Sequence, residues 1–278
     1  MARWVLLRGW ARESRHWGRF PETLAAAMPG DEVSALDLAG NGARFRERSP
    51  TSVAGMVDDY RRELARRAPG HGVSNLLALS LGGMVAIDWA RRYPQEIGRV
   101  VLLNASIADL SPVTQRLKPS CYLNLLQAAL GSAEFAESAI VSMTINRPDP
   151  QLPKKWAAYR RECPVSGLNV LRQLLAAARF RLGDEIPGQP FLLLASAADR
   201  LVDVSCSRAI SLRTKWPLLE HQGAGHDLPI DDPDWVADAI TDWQAERAAS
   251  PTATISPLFG VDPPGSARAR PDGGPSTP

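Results

Sequence analysis

Apolar residues are distributed along this chain in two patterns that take turns. Short, mostly apolar runs at 4–7, 33–36, 73–79, 99–103 and 191–195, with a weaker one at 217–220, read as strands. Between them, apolar positions recur at helical spacing over 17–28, 53–67, 83–93, 205–212 and 233–247. The 53–67 segment is the clearest, with small or apolar residues on one face and Asp58, Asp59, Arg61, Arg62 and Glu63 on the other. Pro94 marks the end of the helix before it. Strands that are apolar throughout, alternating with helices, predict an α/β fold: a mostly parallel sheet flanked by helices on both faces.

The alternation stops between 106 and 187, where only helical spacing is found, as at 122–130 and 167–180. An insertion between two strands of such a sheet falls where it would cover the strand C-termini, so a helical lid is expected over 106–187. The core is then expected at 1–105 and 188–248. From Ala249 onward Pro, Gly, Ser, Ala and Arg dominate, and Phe259 is the single aromatic residue. Such a segment buries too little surface to offset its ordering entropy, so 249–278 is expected to be a disordered tail.

Composition narrows the function classes. At 278 residues the chain can hold one large core plus an insertion. A net charge of +2 gives no support for nucleic-acid binding. The three cysteines, Cys121, Cys163 and Cys206, have no metal-site spacing and suggest no disulfide framework, which fits a reducing compartment. No apolar run reaches membrane-spanning length, and the N-terminus opens on a strand-like run instead of a signal region. A cytoplasmic protein without a membrane span is the expectation.

The chemistry concentrates in three places. Leu77-Ala78-Leu79-Ser80-Leu81-Gly82-Gly83 puts a serine between a strand and a helix, with small residues around it. A serine on so sharp a turn is presented as a nucleophile; the competing role is a helix cap. Asp199 lies just past the strand at 191–195, and His226 lies in a glycine-rich stretch, Gly223-Ala224-Gly225-His226. Loops after parallel strands converge on one sheet edge, so these three can meet as nucleophile, acid and base. Asp203 is the substitute acid, while His16, His71 and His221 are less favourably placed as the base.

The order Ser, Asp, His, together with four segments in register, resembles the lidded, esterase-like members of the α/β-hydrolase superfamily. Those segments are Leu7-Arg8-Gly9-Trp10, Asp37-Leu38-Ala39-Gly40-Asn41-Gly42, Ser80-Leu81-Gly82-Gly83, and Gly225-His226 followed by Asp232-Pro233. The resemblance covers about 3–105 and 188–247. It implies a Ser80–His226–Asp199 triad and an oxyanion hole from the backbone N–H groups of Trp10 and Leu81. It further implies hydrolysis of a small-molecule ester or thioester without metal or organic cofactor. Two positions depart from the family pattern: Arg8 stands where histidine is usual, and Ala78 where glycine is usual. A serine at position 80 disfavours the aspartate-nucleophile chemistry of dehalogenases and epoxide hydrolases.

Arg8, Arg12, Arg15 and Arg19 surround the candidate oxyanion loop, and Arg8 and Arg12 are candidate contacts for an acidic substrate group. Leucines at helical spacing in the lid, among them Leu123, Leu126, Leu171 and Leu174, suggest a pocket for small to medium hydrophobic acyl groups. The same scaffold could instead serve thioester or carbon–carbon hydrolysis, cofactor-free lyase chemistry, or non-catalytic ligand binding.

Overall fold

The computed structural model describes residues 2–70 and 72–249. The expected tail, from residue 250 on, lies outside them, as does His71. Six strands form one sheet: β1 (Arg3–Leu7), β2 (Glu32–Leu36), β3 (Ser74–Leu79), β4 (Ile97–Leu103), β5 (Phe191–Ser196) and β6 (Leu218–His221). Their spatial order is β2-β1-β3-β4-β5-β6, and every neighbouring pair is parallel. All strand C-termini therefore reach the same edge.

The strand residues divide by parity between two apolar layers, as a pleated sheet buried on both faces requires. Val5, Leu7, Leu76, Ala78, Val100, Leu102 and Leu193 face one layer. There they meet α2 (Val53–Arg67) and α3 (Leu81–Arg92) through Met56, Tyr60, Val85 and Trp89, and α9 (Ser205–Thr214) through Ile210. Trp4, Leu6, Leu77, Leu79, Val101, Leu103 and Leu194 face the other. That layer is closed by Phe20 and Leu24 of α1 (Phe20–Ala27) and by Val236, Ile240 and Trp243 of α10 (Pro233–Ala249).

Between β4 and β5 lie only helices: α4 (Val113–Arg116), α5 (Tyr122–Leu130), α6 (Ala133–Thr144), α7 (Leu152–Glu162) and α8 (Gly167–Arg179). Val141, Ile145 and Trp156 form a separate small core within this insertion. Ser52, Ser132 and Ser166 cap α2, α6 and α8 by accepting a backbone N–H from the first turn. The single helix expected over 17–28 is instead a 3-10 turn at Ser14–Trp17 followed by α1. Gly18, at φ 58°, breaks the run between them. Among the described residues, no helix is long and apolar enough to cross a membrane.

Candidate active site

Ser80 follows the last residue of β3 and precedes the first of α3. Its backbone sits at φ 55° and ψ −115°, a conformation L residues rarely adopt, held by donation of its N–H to the Leu103 carbonyl at 2.9 Å. The hydroxyl does not cap its own helix, so the competing role for this serine is not the one it plays. The turn is possible because of the glycines around it. A Cβ on Gly82 would overlap the Leu7 carbonyl oxygen and reach that of Arg8 at 2.9 Å, while a Cβ on Gly9 would touch Ser80 Cβ at 3.3 Å. The nucleophile turn and the loop after β1 are thus in direct contact. Leu81 opens α3, and the first N–H groups of a helix have no intrahelical acceptor; such a helix end favours negative charge.

Across the edge, His226 Nδ1 contacts Asp199 Oδ2 at 2.7 Å, with both side chains buried. Asp199 Oδ1 accepts from the backbone N–H groups of Leu201 at 2.7 Å and Val202 at 3.0 Å, which fixes the carboxylate in place. Burial works against a charged His226 ring. Asp199, by charge and hydrogen bond, and Asp227 behind it outweigh that, while Arg8 opposes them, so the histidine is held above its usual range. The substitute acid Asp203 is engaged elsewhere: it pairs with Lys118 at 3.3 Å and accepts the Ser205 N–H at 3.0 Å. His221 is engaged elsewhere, by Asp232 at 3.1 Å. The His226–Asp199 bond is formed in this structure. Among the described residues, Ser80 Oγ has no hydrogen bond to His226 or to any other group. Catalytic hydrogen bonds are often loose without substrate.

Asn104 holds the histidine loop in place. It follows β4 in the left-handed region at φ 44° and donates from Nδ2 to the His226 carbonyl at 2.9 Å. Its Oδ1 accepts the Ser196 N–H at 2.8 Å. Sequence reading missed this residue; the signal available was an asparagine just past a strand end, a residue type that tolerates positive φ.

The loop after β1 departs most from expectation. Arg8 was expected to face an acidic substrate group; instead its side chain is 1% exposed and its Nη2 lies 2.6 Å from Asp227 Oδ1. Its guanidinium rests over the Trp17 ring at 4.8 Å. This corrects the expectation, because the charge is neutralised from within the protein. Arg12 is likewise engaged, with Glu137 at 2.8 Å and His16 at 2.9 Å, although it lines a small cavity of about 60 Å3 with Ile140, Tyr159 and Val170. Arg15 pairs with Glu13, and Arg19 with Asp234. His16 is forced neutral: burial, then the charges of Arg12 and Arg8, push it well below the usual histidine range. A larger cavity, about 370 Å3, runs beside Asp199 and is lined by Lys118, Cys121, Asn124, Ser142 and Arg200 among others.

The loop is also tied to the insertion. Trp10 Nε1 donates to the Val170 carbonyl at 2.9 Å, and the Ala11 N–H donates to Gln173 Oε1 at 2.8 Å. Gln173 continues to Asn41 at 2.7 Å and Ser49 at 3.0 Å, and Asn169 accepts the Ser49 N–H.

An all-parallel sheet between two helical layers, with a strained serine after β3 and a His–Asp pair from the loops after β6 and β5, defines an α/β hydrolase. The chain belongs to the alpha/beta hydrolase family, whose model matches residues 4–239. It is 36% identical over 101 residues to the biotin biosynthesis bifunctional protein BioHC of Teredinibacter turnerae; the match covers 36% of this chain and 16% of that protein's length. It is 25% identical over 224 residues to the pimeloyl-(acyl-carrier protein) methyl ester esterase of Aromatoleum aromaticum, covering 75% of this chain and 84% of that one. Its fold is similar to that of a thermophilic esterase from Thermogutta terrifontis, with a TM-score of 0.68 at 19% identity, covering 88% of this chain and 90% of the other. The chain thus has both the family and the fold of the α/β hydrolases.

Proposed function

We propose that this hydrolase cleaves carboxylic esters of small to medium hydrophobic acyl groups through an acyl-enzyme on Ser80. The observation that carries this reading is the strained Ser80 turn on the same sheet edge as the buried His226–Asp199 pair. A relative named as a methyl ester esterase supports the ester class.

In the proposed reaction, His226 Nε2 takes the proton from Ser80 Oγ as the oxygen attacks the acyl carbonyl carbon. The backbone N–H groups of Leu81 and Trp10 hold the oxyanion, a contribution of about 3–4 kcal/mol per donor in comparable sites. Collapse expels the alcohol, which receives the proton from His226. Water then attacks the acyl-enzyme, giving its proton to His226, and the acid leaves as Ser80 is reprotonated. Asp199 holds the ring tautomer and stabilises the imidazolium throughout. The insertion is proposed to act as the lid, with its apolar side chains shaping the acyl pocket. Thioesters and carbamates pass through the same kind of tetrahedral intermediate and belong in the same substrate screen.

Intact-mass measurement after fluorophosphonate treatment tests the reading. Wild type should gain one adduct, and Ser80→Ala and His226→Ala should gain none. An unlabelled, folded wild type that turns over no ester in a chain-length panel would overturn the proposal in favour of ligand binding without turnover.

A further inference from the structure

Arg8 and Asp227 are 219 residues apart in sequence, yet their side chains meet at 2.6 Å and are 1% and 3% exposed. Each is next to a group the proposed reaction uses. Arg8 leads into Gly9, which packs on Ser80, and Trp10, the proposed oxyanion donor; Asp227 directly follows His226. The Asp227 backbone is itself fixed, its N–H donating to the Thr144 carbonyl at the end of α6 at 2.8 Å. A buried ion pair is seldom more stabilising than apolar side chains of the same volume, because desolvation consumes most of the Coulombic gain. Burial indeed depresses the Arg8 pKa even with Asp227 in contact. A fixed geometry between two loops is what such a pair supplies in return.

We propose that the Arg8–Asp227 pair is a positioning device that locks the oxyanion loop to the histidine loop. The device rests on the ester-hydrolase reading above. The far end of the same loop is bonded to α8 through Trp10 and Ala11, so residues 8–11 are held from both sides. The pair also bears on the base. Three charged groups face His226: Asp199 from the loop after β5, Asp227 from its own loop and Arg8 from the loop after β1. Asp227 and Arg8 act on the ring with opposite sign.

Single variants separate this role from mere structural support. The His226 titration is read by NMR of the imbedded imidazole C–H, which needs no turnover, and kcat and KM are read with a simple ester. Arg8→Met leaves the Asp227 carboxylate unbalanced and should raise the His226 midpoint, moving the acid limb of kcat/KM to higher pH. Asp227→Asn leaves the guanidinium unbalanced and should move both to lower pH. Arg8→Lys keeps the charge but loses the guanidinium's Nη2 contact to Asp227 and its seat over the Trp17 ring, so the midpoint should stay while kcat falls about tenfold with KM little changed. Midpoints that do not move in opposite directions in the folded Met and Asn variants, or an Arg8→Lys kcat within twofold of wild type, would overturn the proposal. A wild type that hydrolyses no ester but shows the opposed His226 shifts would sink the ester reading and leave the charge coupling of the two loops standing.

Discussion

At φ 55° and ψ −115°, Ser80 stores backbone strain of about 1–3 kcal/mol at the point where its hydroxyl is wanted. Glycine accepts such a conformation without penalty from a side chain. Ser80→Gly should therefore be more thermally stable than Ser80→Ala, by about 1 kcal/mol after allowing for the greater entropy glycine loses on folding. Both variants lack the proposed nucleophile, so paired melting curves compare the backbone alone; equal melting temperatures would mean that the turn relaxes around alanine. Ser80, Asp199 and His226 stand out in the sequence because each sits beside a strand end or a glycine turn. Asn104 does not, since its partners are the Ser196 N–H and the His226 carbonyl, 92 and 122 residues away. Its place just past a strand end is the one local signal, and that does not reveal either partner.

The joint between α3 and β1 explains why two glycines follow the serine. Gly82 lies against the backbone carbonyls of Leu7 and Arg8, which cannot turn aside without disturbing the strand and the loop beyond it. A Cβ on Gly83 would meet the Ala105 methyl at 3.1 Å, a contact that a small shift relieves. Gly82→Ala is expected to cost about 2–3 kcal/mol and to slow fluorophosphonate labelling by displacing the proposed oxyanion loop, whereas Gly83→Ala should cost about 1 kcal/mol or less and label normally. Denaturant unfolding and labelling rates on the two variants check this, and a reversed order would mean that α3 docks differently. Strands were legible because all six residues of β3, and all six of β5, are buried, leaving apolar runs at 76–79 and 191–195. Helices α6 and α7 were harder to read. Glu137 points inward on α6 to meet Arg12 and Arg160, and α7 buries only Trp156 and Ala157 among its charges. An inward charge with its partner on another element looks, in sequence, like a solvated one.

That ambiguity reached the scale of the whole molecule at Arg8. Before the chain is folded, a cation beside the oxyanion loop is indistinguishable from one waiting for an anionic substrate, because Asp227 reaches it only when the sheet brings β1 and β6 to one edge. The same sheet edge divides the insertion into two kinds of helix. On α8, Asn169 and Gln173 are buried and bonded to the loops after β1 and β2, so this helix is part of the frame that holds Trp10. On α5 only Ala128 is buried, while Leu123, Leu126 and Leu130 are exposed. Local opening is easiest where few apolar contacts must be broken. Native-state amide exchange should accordingly show the α5 amides less protected than those of α8 by about tenfold or more, with β3 and β4 the slowest of all. A ligand entering over α5 would then meet a helix able to move while the Trp10 loop bonded to α8 stays in place. Equal protection of α5 and α8 would mean that the insertion opens as one unit, and with it that the loop carrying Trp10 loses its support each time the site is exposed.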